Sequence, residues 1–233
     1  MNTEASSTNP VNAGKSAAQQ QLEQHEVPEV LDFIKENGVA IVVGVLVAVI
    51  GFAGYTIWRN SQAAQIEAAA ALFANAQTVP QFQEVLANYP DTPSASLAQL
   101  SLGAAYFDQA DYPSARAAFE QFASAYPDHL MVPNARLGIA QSLEAQAQFA
   151  EALSAYDGFL AANAGHYLVA PAIFGKARVL EEMGRYDEAI AVYDDFISSN
   201  PGGDWALRAE TGRDFASKRQ RAGSNTGLPE SGN

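Results

Sequence analysis

The residues of this chain best suited to chemistry are few and awkwardly placed. There are three histidines, His25, His129 and His166, and no cysteine. His129 and His166 stand 37 residues apart, and imidazoles at a fixed step could ligate a metal. A structural zinc site needs four ligands brought together; two histidines without a thiol do not supply them, and each reads as part of a turn duplicated with its surroundings. Adjacent carboxylates occur at Glu181–Glu182 and Asp194–Asp195. Such pairs do acid–base work only where a pocket shifts their pKa values, and on a solvated helix they are surface charge. No glycine-rich phosphate loop is present. We therefore expect no catalytic residues, no metal, no cofactor and no enzyme.

The step of 37 that relates the histidines recurs throughout. Ala115, Ala152 and Ala189 keep it, as do Phe119, Tyr156 and Tyr193, then Phe122, Phe159 and Phe196, and Tyr112, Phe149 and Tyr186. A period of this size marks stacked helical hairpins. Within Ser96–His129, Leu102, Gly103 and Tyr106 form one stripe and Ala115, Phe119 and Phe122 a second, at helical spacing. Asp111 is a candidate N-cap and Pro113 suits the first turn of the second helix. Tyr126-Pro127-Asp128 closes it, because proline disfavours helix in the residue before it. Gly103, with its counterparts Ala140 and Ala177, lets one helix approach the next.

Leu102-Gly103, Tyr106, Ala115, Phe119 and Pro127 together resemble the tetratricopeptide repeat. The last repeat reads Gly184-Arg185-Tyr186-Asp187-Glu188-Ala189 and closes on Pro201, while the middle one has Ala164 in place of the closing proline. Each repeat exceeds the family's usual 34 residues by three. The resemblance implies an all-α, tetratricopeptide-like solenoid of helical hairpins, with repeats at about 63–92, 96–129, 133–166 and 170–203 and a capping helix at 204–221. Stacked repeats usually make binding surfaces.

A second feature narrows the role. Val39–Trp58 is 20 residues without a charge, enough at 1.5 Å per residue to span the roughly 30 Å hydrocarbon core of a bilayer. Tyr55 and Trp58 suit the headgroup zone, and Lys35 and Arg59 bracket the segment. A buried core helix is the alternative. A cleaved signal would have a short basic start, whereas 38 net acidic residues precede this run, so we expect an uncleaved, single-pass anchor. Lys15 and Lys35 ahead of the run put the N-terminus on the cytoplasmic side and the repeat domain in the periplasm. The expected layout is a disordered tail over 1–26, a short amphipathic juxtamembrane helix over 27–38, a transmembrane helix over 39–58, the repeat domain over 59–221 and a disordered tail over 222–233.

The junction Phe33-Ile34-Lys35-Glu36-Asn37-Gly38, with Gly44 and Val45 inside the run and Trp58 at its exit, is similar to that of the YfgM-type ancillary subunits of the Sec translocon. That resemblance implies an inner-membrane protein beside the SecYEG channel, contacting emerging chains and periplasmic chaperones, with Phe33, Ile34 and Gly44 touching a membrane partner. The Tyr-Pro-Asp closures look more like those of the Tol-Pal coordinating protein and the outer-membrane assembly lipoproteins, which implies instead a scaffold for envelope assembly or cell division; without a lipid-carrying cysteine the chain is no lipoprotein. On the concave face the expected protein contacts are Gln99, Arg136 and Ile173 at related early positions, with Arg178 and Glu182. Gly44, Gly51 and Gly54 also admit a homodimer. The formal net charge is −13, with 19 acidic and 10 basic residues over 60–221. That balance disfavours nucleic acid and anionic lipid surfaces and leaves basic peptide segments as ligands.

Overall fold

The computed structural model describes residues 17–225. The disordered ends expected at 1–16 and 226–233 lie outside the described residues. Within them the regular elements are all α-helices: α1 (Ala17–Asn75), α2 (Val79–Asn88), α3 (Pro93–Asp108), α4 (Tyr112–Ala125), α5 (Val132–Ala145), α6 (Phe149–Ala162), α7 (Val169–Glu182), α8 (Tyr186–Ser199) and α9 (Asp204–Asn225). Two compact units divide the chain, Met1–Gln62 and Ala63–Asn233.

In the first unit the sequence suggests a tail, a short helix and a span, but the backbone is helical from Ala17 onward. Ala, Gln, Glu and Leu dominate residues 17–26, and these are strong helix formers. The Asp32–Asn75 stretch of α1 is long and apolar enough to cross a membrane, and none of its most apolar window is buried. A core helix would have that window mostly buried.

The second unit is the solenoid. The helices α3/α4, α5/α6 and α7/α8 are consecutive antiparallel hairpins, each packed on the next. Their starts are set locally. Gln81 accepts from the backbone N–H groups of Gln77 and Thr78 ahead of α2, and Asp111 Oδ1 accepts from Ser114 N–H at 3.3 Å to cap α4. First helices end in one recurring closure. The N–H of Asp111 reaches Tyr106 O and that of Ala110 reaches Phe107 O, the same pair recurring at Gln148/Ala147 and Arg185/Gly184. This is the Schellman arrangement, which needs a left-handed residue. Gly184 supplies it without a Cβ, while Ala110 (φ 59°) and Ala147 (φ 57°) adopt it against their preference.

The core between hairpins is built on aromatic rings set against glycine. Phe119 of α4 lies between Gly103 of its own hairpin and Gly138 of the next; a Cβ at either would stand 2.6 Å from the ring. Tyr156 fills the space at Gly175, and Tyr193 that at Gly212. Gly138, Gly175 and Gly212 keep the 37-residue step, each 19 residues after its ring. Fully buried alanines at 98, 135, 172 and 209 repeat on the same first helices. Ion pairs repeat too: Lys176–Asp157 at 2.7 Å joins α7 to α6, and Arg213–Asp194 at 3.4 Å joins α9 to α8.

By this register α9 occupies the place of a further first helix, the last helix among the described residues. Where α7 turns Ile173, Phe174 and Ala177 towards the Tyr193 and Phe196 cluster, α9 has Glu210, Thr211 and Asp214. These three positions are polar, as a terminal repeat requires, although Leu207 on the same face stays exposed.

The glycine contacts predict a sharp asymmetry between two alanine substitutions. Gly175→Ala should destabilise the domain by about 1–3 kcal/mol, because the Tyr156 ring is fixed by its own hydrogen bond and cannot yield. Gly158→Ala, on α6 with nothing near its side chain, should stabilise by about 0.5–1 kcal/mol. Thermal unfolding followed by circular dichroism separates them, and equal melting temperatures would contradict the ring-and-glycine account.

Candidate protein-binding groove

Neighbouring first helices touch, α3 on α5, α5 on α7 and α7 on α9, whereas the second helices α4, α6 and α8 make no such direct contacts with one another. The stack therefore closes along its first helices, and their outer side is the concave face. Two rows of equivalent positions point there: 134, 171 and 208, and 141 and 178. Gln141, Pro171, Phe174, Arg178, Trp205 and Arg208 line a groove of 410 Å³ across α5, α7 and α9. Its floor is aromatic. Phe174 packs on Trp205 with ring centroids 5.4 Å apart, and the Arg208 guanidinium lies over the Trp205 ring at 5.2 Å.

One wall is held by a polar cluster that couples two hairpins. Arg178 Nε donates to Glu144 Oε1 at 2.8 Å and Nη2 to Oε2 at 3.1 Å. Tyr156 OH donates to the same carboxylate at 2.5 Å. Burial, reinforced by the Glu144 charge, holds the Tyr156 hydroxyl far above the usual phenol range. The arrangement recurs one repeat on, where Tyr193 OH donates to Glu181 Oε1 at 3.0 Å. Glu181 is 7% exposed, and burial raises its carboxyl above the ordinary value despite the Tyr193 bond and the Arg219 charge. In the first full repeat the two positions are Phe107 and Phe119. The hydroxyl and its acceptor thus occur together or not at all, as a buried polar group requires.

The residues singled out from sequence divide. Arg178 lines the groove. Glu182, at the exposed end of α7, lies 3.8 Å from Arg219. Gln99, Arg136 and Ile173 form a row that turns away from the concave face. Gln99 is only 4% exposed and donates to Ala118 O at 3.0 Å and Gln121 Oε1 at 3.4 Å in α4, so its amide is spent as a clamp within the hairpin. Ile173 packs into the cluster of Tyr193 and Phe196 and edges a second groove of 480 Å³, which also reaches Trp205. Arg136 is exposed. The row stands two residues from the lining of this groove, and two residues turn a helix by roughly 200°. Trp205 and Arg208 escape a sequence reading that treats the last helix only as a cap. Their signal is an aromatic and an arginine three apart on a helix in repeat register. On α1, Phe33 and Ile34 are exposed and nothing lies near Gly44.

His129 and His166 act in turns. His129 Nδ1 accepts from Met131 N–H at 3.1 Å and His166 Nδ1 from Leu168 N–H at 3.2 Å, with the rings edge-on to Phe122 and Phe159. Among the described residues no group of three or more His, Asp or Glu could hold a metal ion.

Comparison with known proteins agrees with this geometry. A family profile described as a tetratricopeptide repeat-like domain matches residues 32–204, so the match begins before the apolar run and continues through the hairpins. No curated protein matches the chain. Among solved structures, nearly identical TPR-like repeats of a putative kinesin light chain from Podosopora anserina are similar in fold. They share 20% identity with a TM-score of 0.53, over 69% of this chain and 89% of that one; a point variant of the same repeats gives 0.54 at the same identity and coverage.

The buried carboxyl makes a pH prediction. A folded-state pKa above the unfolded one means that stability is fully present below the unfolded value and is lost as pH rises through the folded value. For Glu181 the loss begins above about 4.5. Glu181→Gln keeps an acceptor for Tyr193 and removes the charge. At pH 7 it should melt at or above the parent temperature, with the gap shrinking as pH falls to 4. A variant that melts lower at pH 7 would show that the charged carboxylate is the better partner.

Proposed function

Because the chain belongs to the tetratricopeptide repeat-like domain family, we propose that it is a membrane-anchored protein-binding module, ancillary to the Sec translocon and its periplasmic chaperones. The carrying observation is the family match from residue 32 to 204, which covers both the apolar run and the repeats, together with the Phe33–Gly38 junction. On this reading α1 crosses the inner membrane once through residues 39–58, the N-terminus is cytoplasmic and the repeat domain stands in the periplasm. Phe33, Ile34 and Gly44 meet a membrane partner, and the exposed residues Arg136, Arg178 and Glu182, with Ile173 at the second groove, meet soluble partners. The work is binding rather than catalysis: tetratricopeptide folds are generally scaffolds, and no enzymatic family is indicated. A second reading, a scaffold for envelope assembly or division, is favoured by the Tyr-Pro-Asp closure of α4 and the 37-residue step.

Photo-crosslinking in cells distinguishes the two. A photoreactive residue at Ile34 and another at Arg136 should give adducts with translocon subunits and with periplasmic chaperones respectively. Adducts with division or outer-membrane assembly proteins would transfer the assignment to the scaffold. A protease-accessible repeat domain in intact spheroplasts is the companion expectation for the orientation, and protection there would reverse it.

A further inference from the structure

We propose that the groove on α5, α7 and α9 binds a linear protein segment in which an acidic side chain adjoins an apolar one. The apolar side chain seats on Pro171, Phe174 and Trp205, and the carboxylate meets Arg208. The inference rests on the reading of the repeats as a protein-binding module and adds the chemistry of the ligand.

Charge complementarity carries it. The domain is acidic, and its cations are mostly consumed: Arg116, Lys176, Arg178, Arg185, Arg213 and Arg219 all reach a carboxylate. Arg208 makes no ion pair among the described residues. Arg136 and Lys218 also lack one, but neither lines this groove. Arg208 is instead fixed by stacking on Trp205 at 5.2 Å. A guanidinium stacked on an aromatic face keeps its N–H edge free for a bidentate carboxylate, and stacking that restricts its rotamers lowers the entropy cost of the bond. The groove lining contains no acidic residue. Glu144, just behind the wall, is neutralised by Arg178 through two hydrogen bonds. Among the described residues Arg208 is thus the one charged group of the lining without an ion pair, and Asp204, one turn before it, belongs to the second groove and makes no ion pair with it, although the domain's net sign is negative. At physiological salt, charges more than about 8 Å away are largely screened, so the groove and not the total decides which segment is held.

The apolar half has equal support. Trp205 is 41% exposed, although it packs on Phe174 and lies beside two grooves. A large ring packed on one side and left open to water on the other offers the kind of aromatic surface that binding anchors use.

The test uses the full chain in detergent micelles and three short fluorescent peptides, amidated to remove the terminal carboxylate. Each carries two leucines, each followed by glutamate, glutamine or lysine. The glutamate peptide should bind at least about tenfold more tightly than the other two. Arg208→Gln should erase that preference, Arg208→Lys should retain only part of it, and Arg116→Gln, on the far side of the stack, should leave it intact. Trp205→Leu should weaken all three peptides; if its circular dichroism melt shows an unfolded cap, the Arg208 variants give the answer alone. Equal affinity for the glutamate and glutamine peptides, tighter binding of the lysine peptide, no binding of any, or indifference to Arg208→Gln would each overturn the proposal. Crosslinks to partners at Arg136 together with failure of the peptides would sink this inference and leave the module reading standing. Peptide binding without cellular crosslinks would do the reverse.

Discussion

Each hairpin is joined to the next by an aromatic ring that occupies the place of a missing side chain. Phe119, Tyr156 and Tyr193 project from second helices, and Gly138, Gly175 and Gly212 on the following first helices leave the room for them. A buried ring contributes about 1.5–3 kcal/mol through burial alone, and it does so only because the backbone opposite can come so near. The separation of 19 residues between ring and glycine therefore fixes the angle at which one hairpin meets the next. From that angle follow the closure of the first helices on one another and the inward face they share.

The same rings decide where polarity can be buried. A tyrosine in this position carries its hydroxyl into the core and must find an acceptor there. Glu144 and Glu181 meet that need, and Glu144 in turn draws in Arg178 from the next hairpin. A groove wall is thus the outer end of a network whose inner end is a packing residue. Groove wall and core are linked by hydrogen bonds, so the position of Arg178 is set by the stack.

Much of the solenoid is legible in the sequence, because large side chains at a constant step announce themselves. The helices, their turns and the Asp111 cap follow from Tyr112, Ala115, Phe119 and their counterparts. The glycine row keeps the same step and is easily overlooked, since an absent side chain contributes nothing to a hydrophobic pattern; the complementary row of Gly103, Ala140 and Ala177 reads only as general closeness. The groove is less legible. A helix face is specified to within one residue, and the chosen positions 99, 136 and 173 stand two residues from the row of 134, 171 and 208, on another side of the helix. Gln99 shows the cost of that choice: a polar side chain suggests solvent, yet its amide lies buried against Ala118 O. The extended start of α1 is hidden for another reason, because Gln and Glu suggest disorder by composition and helix by propensity.

A stack held together by one interface repeated head to tail has no intrinsic length. Were the outer side of α9 as apolar as that of α7, a neighbouring molecule's hairpin could add there, and a heterologous contact of that kind propagates into a filament instead of closing. Glu210, Thr211 and Asp214, standing where Ile173, Phe174 and Ala177 stand one repeat earlier, work against such growth. Thr211 and Asp214 spend their bonds within α9, on Leu207 O and on Arg213, and offer a neighbouring hairpin no apolar seat.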